Sequence, residues 1–419
     1  MEGKRPAASG TSLSAKLEQP VTLKVRKLSD WLTAFNEYTE TLKTPASYRR
    51  WAGVATLASA LERRVWVRTN ISPLYPNLYV LLVGPAGLGK GVALNVAHEL
   101  LTQLPDYHGA PSSVSRASLV DALKAAERKI VLPQQNPPVV SYNSLSIIIN
   151  EFGTFLPQYD NEFMATLTDM WDCKRYDEMK RTSELNIKMK DVQLNIFAGT
   201  TVSYLLNMLP DAAWDQGFMS RTLLVYSGEI VRRSLFEERD DEETIKQDLI
   251  HDLKVIAGLY GKMRVMPDAI TAIDAWNDQG GPPAPTHPKM LTYNSRRTVQ
   301  VLKLATIISI SRSNSLVITI EDFTQAVEWL IELEANVVDI FKTNAAGGDG
   351  KVIEDTYYWI TDVYVKKRSP LSEEAIISFI QNKAPAHAVM RIFDLMLKSG
   401  LLEKTVAGIR PKARININE

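Results

Sequence analysis

Between residues 28 and 64 the apolar positions Trp31, Leu32, Phe35, Tyr38 and Leu42, then Trp51, Val54, Leu57 and Leu61, recur at the spacing of one helix face on either side of Pro45. This pattern predicts a helical collar over 26–70. Residues 1–25, rich in Gly, Ser, Ala and Lys with no apolar period, read as a flexible tail. From Leu78 the pattern changes to the continuous run Leu78-Tyr79-Val80-Leu81-Leu82-Val83, as in a strand buried on both faces. A Gly-rich turn and a helix to about residue 104 follow, then a helix over 118–129 and apolar strands over 145–149 and 194–198. Strands alternating with helices predict an α/β core over 71–232, a parallel sheet with helices on its faces. Helical periods then fill 233–344. Ala345-Ala346-Gly347-Gly348-Asp349-Gly350 reads as a flexible linker, and 351–419 form a smaller unit with helical periods over 352–365, 373–381 and 387–399 before a pair of strands in 401–417.

Charge and cysteine content narrow the classes. Lys plus Arg and Asp plus Glu both number 48, so the net charge is zero, and contact with nucleic acid has to come from local basic patches. That balance argues against a simple DNA coat. One cysteine, Cys173, excludes an internal disulfide and a thiolate metal cluster, and the five His show no zinc-ligand spacing. A reducing cytoplasm is the expected location. The start of the chain has no apolar leader segment, and no apolar run approaches the ~18 residues that span a bilayer, so neither a signal peptide nor a membrane span is expected. The acidic stretch 237–243 reads as a solvated boundary with no function of its own.

The chemistry concentrates after the first strand. Gly84-Pro85-Ala86-Gly87-Leu88-Gly89-Lys90-Gly91 fits a phosphate loop, G-x4-G-K, placed between a buried strand and a helix. Glycines let backbone N–H groups close around phosphate oxygens, the helix N-terminus faces the charge, and Lys90 reaches the terminal phosphates. The alternative is a glycine-rich turn. Gly91 stands where Ser or Thr would ligate Mg²⁺, a place that water can fill. The strand over 145–149 ends in Asn150-Glu151, where Glu151 is placed to orient an attacking water and Asn150 to hold the Mg²⁺ shell through its carbonyl, directly or through water. The bland reading is a strand cap. Gly199-Thr200-Thr201 puts polar groups at the next strand end, where either Thr can face the phosphates or simply start a helix. Arg221, before the apolar run at 222–226, can serve as an arginine finger on a neighbouring subunit's γ-phosphate, or be a surface Arg at a strand start.

Taken in order, these features resemble the AAA+ ATPases of phage and plasmid replication, near the superfamily-three and minichromosome maintenance helicases and phage proteins with an uncharacterised primase-helicase-like domain. The likeness rests on Tyr75-Pro76-Asn77-Leu78-Tyr79 before the loop, Asn150-Glu151-Phe152-Gly153, and Gly217-Phe218-Met219-Ser220-Arg221, and it covers about residues 30–340. It implies an AAA+ P-loop parallel-sheet core with an N-terminal helical collar, a helical lid and a C-terminal winged-helix domain. It further implies ATP and Mg²⁺ as cofactors, sensor 1 at Thr200 or Thr201, and sensor 2 at Arg296 or Arg297, with Arg297 slightly preferred. Between the two strands, Lys174, Arg175, Lys180, Arg181, Lys188 and Lys190 occupy the interval that in such ring helicases holds a hairpin projecting into the central channel. Alternation in 185–190 puts Lys188 and Lys190 on one face, fit to hold phosphates without sequence readout; a solvated β-arm is the other reading. In the C-terminal unit, whose helical periods match a winged helix, Lys404, Arg410, Lys412 and Arg414 form a basic wing that can grip duplex phosphates, although many winged helices pack only against protein.

The leading expectation is therefore a hexameric DNA helicase that translocates on single-stranded and forked DNA, with a separate primase or polymerase as partner. For a phage-encoded chain the location is the bacterial host's cytoplasm. A non-hydrolysing, ATP-assembled initiator or DNA-binding scaffold is kept open by Gly91 and Asn150. A helicase loader is the third reading, less favoured because loaders usually lack a winged unit after the lid.

Overall fold

The computed structural model describes residues 25–412 apart from 112–113, 133–135, 158–159, 181–184, 209–216, 235–239, 385 and 406. The tail over 1–25 thus falls almost wholly outside the described residues, as do Arg181 and Arg414. The chain divides into two compact units, Met1–Asn336 and Val337–Glu419.

In the first unit the order is α1 (Trp31–Tyr38), α2 (Ala46–Leu61), β1 (Val65–Arg68), β2 (Pro73–Leu74), β3 (Tyr79–Val83), α3 (Lys90–Leu101), α4 (Arg116–Ala125), β4 (Glu127–Val131) and β5 (Val139–Ile149). Then come α5 (Phe152–Phe155), α6 (Asn161–Trp171), β6 (Tyr176–Lys180), β7 (Leu185–Met189), β8 (Val192–Thr200), α7 (Val202–Met208), α8 (Gly217–Ser220) and β9 (Thr222–Tyr226). It closes with α9 (Glu242–Ala257), β10 (Gly261–Val265), α10 (Pro267–Asp278), α11 (Leu291–Asn294), α12 (Arg297–Arg312), β11 (Val317–Ile318) and the start of α13 (Ile320–Lys367).

The protein is α/β. Its central sheet has the order β4-β5-β8-β3-β9, in which β5, β8, β3 and β9 run parallel and β4 is antiparallel to β5. Every residue of β3 and β8 is buried, which requires cover on both faces. Tyr79 donates from its phenol to Leu167 O of α6 on one face, while Asn195, one residue before Tyr79's lateral partner Ile196, reaches Ala58 O of α2 on the other. The apolar runs that predicted these strands are thus central strands. The helix expected over 118–129 instead ends at Ala125, and Glu127–Val131 forms an edge strand against the first residues of β5. Its alternating burial, with Arg128 inward between exposed neighbours, overrides the helical spacing upstream.

A second sheet, β11-β10-β1-β2, was not foreseen. In it β1 pairs in parallel with β10, and β10 with β11, within stretches expected to be helical. Helix α12 crosses this region buried along most of its length, so the expected lid is continuous with the core of the unit. Asp252 of α9, fully buried, accepts from the backbone N–H of Lys27 and Leu28, which ties the segment before α1 to α9.

The second unit holds the remainder of α13, α14 (Glu373–Gln381), α15 (Ala386–Lys398) and the hairpin β12 (Leu402–Thr405) and β13 (Gly408–Pro411). The backbone over 345–350 is helical, within α13, where a linker was expected. Leu371 forms a bridge with Ile409, which lays a third extended segment beside the hairpin. Ile360, Ile376, Ile380, Ile392 and Met396, all fully buried, form the core of this unit. Among the described residues, no helix is long and apolar enough to cross a membrane.

Candidate nucleotide site

The loop after β3 is built as its glycines dictate. Gly87 and Gly89 have φ of +83° and +80°, and a Cβ on Gly89 would collide with the carbonyl of Lys43. Over Gly87, by contrast, a Cβ would meet nothing within 4 Å. Gly84 passes against the Tyr48 hydroxyl, which donates to Val83 O at 2.7 Å and Ser227 O at 3.3 Å and ties α2 to the loop's entry. Lys90 opens α3 directly behind left-handed Gly89, and its Nζ donates to Gly84 O at 2.8 Å and Pro85 O at 2.7 Å. Burial lowers its pKa, and Glu151 opposes that shift. The ammonium is therefore held inside the loop by the loop's own carbonyls, and a phosphate would give it a better partner.

Asn150 and Glu151 follow the last residue of β5, and both are exposed. Their position is fixed from behind by Phe152 and Phe155 of α5, fully buried, with Phe152 stacked on Phe218 at 6.1 Å. A Cβ built on Gly91 would lie 3.4 Å from Asn150 Oδ1, so the missing side chain at 91 faces the amide. Gly199 is obligatory, since a Cβ there would come within 2.6 Å of Asn150 O and 3.5 Å of Lys90 Cβ. Lys90, Asn150 and the end of β8 are thereby brought together.

Thr200 is fully buried at the end of β8 and its carbonyl accepts from Gly84 N at 3.3 Å. Thr201 Oγ1 accepts from Tyr204 N at 3.2 Å, which is the helix-starting role. Pro85, Ala86 and Leu88 lie in the loop itself. No motif marks Tyr48 or the 43–44 segment beside Gly89; the buried Thr44 Oγ1 has no hydrogen-bond partner among the described residues.

Two arginines expected to act on nucleotide are engaged by other groups of the chain. Arg221 is only 7% exposed and turned inward: Nη1 donates to Gly217 O at 3.0 Å and Nη2 lies 3.4 Å from Asp172. The following residue, Thr222, is in register with Tyr79, so Arg221 sits at the end of the sheet away from the glycine loop of its own chain. Arg297, 1% exposed, is consumed by a bidentate pair with Glu334 at 2.7 and 2.8 Å, by the carbonyls of Gly281 and Pro283, and by the Trp276 ring. Arg296 is half-buried, its pKa lowered by burial and by nearby Arg221 and raised in part by Asp172.

The basic hairpin is present as β6 and β7, paired from Tyr176↔Met189 to Lys180↔Leu185. Ile187 and Met189 are buried while Lys188 and Lys190 are exposed, so the two lysines do share the open face. The base is anchored by Arg116, bidentate to Glu178 at 2.8 and 3.1 Å. Lys174 and Arg175 are exposed but lie 3.7 and 2.6 Å from Asp172 and Asp177. In the second unit Arg410 pairs with Glu403 at 3.0 Å and Lys404 with Glu373 at 2.9 Å, while Lys412 is exposed. The β12–β13 hairpin is thus less basic than its composition suggests. No protein-family model matches this chain, and no curated protein is similar to it.

Proposed function

We propose that the chain is a P-loop nucleotide-binding protein of the AAA+ class. Within that class, it acts as a ring-forming, ATP-dependent helicase that translocates on single-stranded DNA. The observation that carries the reading is the convergence of Lys90, Asn150, Glu151 and Thr200 at the carboxyl ends of three adjacent parallel strands, with β8 inserted between the phosphate-loop strand and the acidic strand. The exposed lysine face of the β6–β7 hairpin supports DNA as the track. The second unit is read as a winged helix from its order of helix, bridge, helix, helix and hairpin.

In this mechanism Lys90 exchanges its two loop carbonyls for phosphate oxygens, and the N-terminal N–H groups of α3 cradle the same charge. Glu151 orients the attacking water from its fixed place at the end of β5. Mg²⁺ would be held by the Asn150 amide oxygen and Glu151, with water where Gly91 offers no hydroxyl, and when bound it neutralises phosphate charge. A second reading, an ATP-assembled DNA-binding scaffold with little turnover, is favoured by Gly91, by Asn150 in place of an acid and by the inward Arg221.

ATP binding, hydrolysis with and without single-stranded DNA, and unwinding of a labelled fork test these readings together. Lys90→Ala is expected to weaken ATP binding at least tenfold and abolish hydrolysis; an unchanged ATPase overturns the site. DNA-stimulated hydrolysis with unwinding supports the helicase. Ring assembly on ATP without hydrolysis selects the scaffold, and stimulated hydrolysis without unwinding selects a loader.

A further inference from the structure

The small sheet β11-β10-β1-β2 has one closed face and one open one. Val65, Val67, Met263 and Ile318 are all buried and form the closed face. Side chains alternate along a strand and laterally paired residues share a face, so the residues between these point outward. Trp66 is paired with Lys262, and Arg68 and Arg264 lie two residues further along β1 and β10. Trp66 is half-buried, whereas Arg68, Lys262 and Arg264 are exposed.

Two observations distinguish this face from an ordinary solvated one. The first is a ledge of aromatic rings. Trp66 is flanked by Tyr260, edge-on at 5.4 Å, and by Tyr75 at 6.4 Å, and the Arg63 guanidinium lies 4.0 Å over the Tyr75 ring. Rings on two sides hold the indole in one orientation while part of it stays open to solvent. The second is charge of a single sign. Neither the four strands nor the flanking residues over 63–79 and 259–267 contain Asp or Glu. Among the described residues Arg68, Lys262 and Arg264 form no ion pair, in contrast to Lys174 and Arg175, which lie beside Asp172 and Asp177. The face also adjoins the β6–β7 hairpin, because Arg63 donates to Asp191 at 2.6 Å and to Val192 O at 3.3 Å, where the hairpin passes into β8.

A held, half-open indole beside unneutralised cations suits a polyanion whose bases are free to stack, which is a single strand; a duplex offers its phosphates but keeps its base faces to itself. We infer that the outer face of this sheet binds single-stranded DNA, with Trp66 stacking on a base and Arg68, Lys262 and Arg264 holding the adjoining phosphates. The inference rests on the reading of single-stranded DNA as the track, and not on the nucleotide site. Fluorescence anisotropy of the full chain without nucleotide tests it, with labelled oligo(dT) and a duplex of equal length as probes. Trp66→Ala is expected to weaken oligo(dT) binding about tenfold, the loss of one stacked base, and to leave duplex binding unchanged. Trp66→Phe, which keeps a ring, should restore most of the affinity. Should Trp66→Ala not fold, the exposed cations carry the test: replacing Arg68, Lys262 and Arg264 together with Gln should flatten the dependence of log K on log salt by about 2, the share of three phosphates. The same changes are expected when Lys188 and Lys190 are already Ala, so failure of the hairpin leaves this face standing. A parent chain that does not bind oligo(dT) overturns both the face and the DNA reading. Unchanged oligo(dT) affinity in Trp66→Ala, an equal loss for the duplex, or an unchanged salt slope in the Gln variant overturns the face alone.

Discussion

At position 91 the backbone has room for a side chain that the sequence omits. The nearest atom to a built Cβ is Asn150 Oδ1 at 3.4 Å, an ordinary contact, and Gly91 is not in a left-handed conformation. Gly91→Ser is therefore expected to fold, to gain about 0.5 kcal/mol from helix propensity, and to lower the Mg²⁺ concentration that half-saturates ATP binding several-fold. Nucleotide titrations across a Mg²⁺ series measure this. Gly91 and Asn150 were legible as departures from the sequence alone, because the loop fixes their places. Lys303 was not. It lies inside an otherwise apolar stretch of α12, and its Nζ donates to Asn77 Oδ1 at 2.7 Å and sits 3.5 Å over the Trp171 ring. Burial lowers its pKa to about 7, with Cys173 and Asp172 opposing the shift. Because the folded pKa is below the unfolded one, the unfolded state binds more protons between pH 7 and 10. Stability should rise with pH across that window by at most about 1.4 kcal/mol per unit, and the penalty is fully present below it. Urea unfolding of Lys303→Met should lack this slope.

Among the elements, the β6–β7 hairpin is where sequence periodicity served best. Alternation in β7 alone assigned Ile187 and Met189 to one face and the lysines to the other, because a strand has only two faces. What it could not show is neutralisation. Asp177 lies directly across from Lys188 in the ladder and beside Arg175, so the hairpin is less cationic than its residue count implies. Replacing Lys188 and Lys190 together with Ala is expected to reduce single-strand affinity and to flatten the dependence of log K on log salt by about 1.4, the share of two phosphate contacts. Fluorescence anisotropy at several salt concentrations measures the slope, and an unchanged slope removes the hairpin from the DNA path. The short strands β1, β10 and β11 were illegible for the opposite reason. With two to five residues each, they are too brief to display a period and depend on partners far along the chain.

For the molecule as a whole, the arginine that seemed chemical from sequence is architectural. Arg297 and Glu334 are 37 residues apart, and nothing in the spacing of either foretells that they meet in the interior. Breaking such a pair strands a buried charge, so Arg297→Met should cost about 3–5 kcal/mol by urea unfolding, whereas ATP affinity of the folded fraction should stay within twofold. Denaturation curves and nucleotide titrations on the same preparation separate the two effects. Loss of ATP binding without loss of stability would return Arg297 to the site. The central sheet, by contrast, was readable because its strands are long apolar runs that follow one another with helices between.

The small sheet β11-β10-β1-β2 has a further consequence for how the chain comes into being. β1 leaves synthesis at residues 65–68, but its parallel neighbour arrives only at Gly261–Val265, and that strand's own neighbour only at Val317–Ile318. Trp31 Nε1 likewise waits for Leu249 O, and Lys27 and Leu28 for Asp252. A fragment ending after β9 would contain Lys90, Asn150, Glu151 and Thr200 of the proposed nucleotide site, yet it would present β1 with an open edge and α1 with an uncovered aromatic face. The contacts that complete the first unit are the last to be translated, so possession of these residues precedes the ability to fold them.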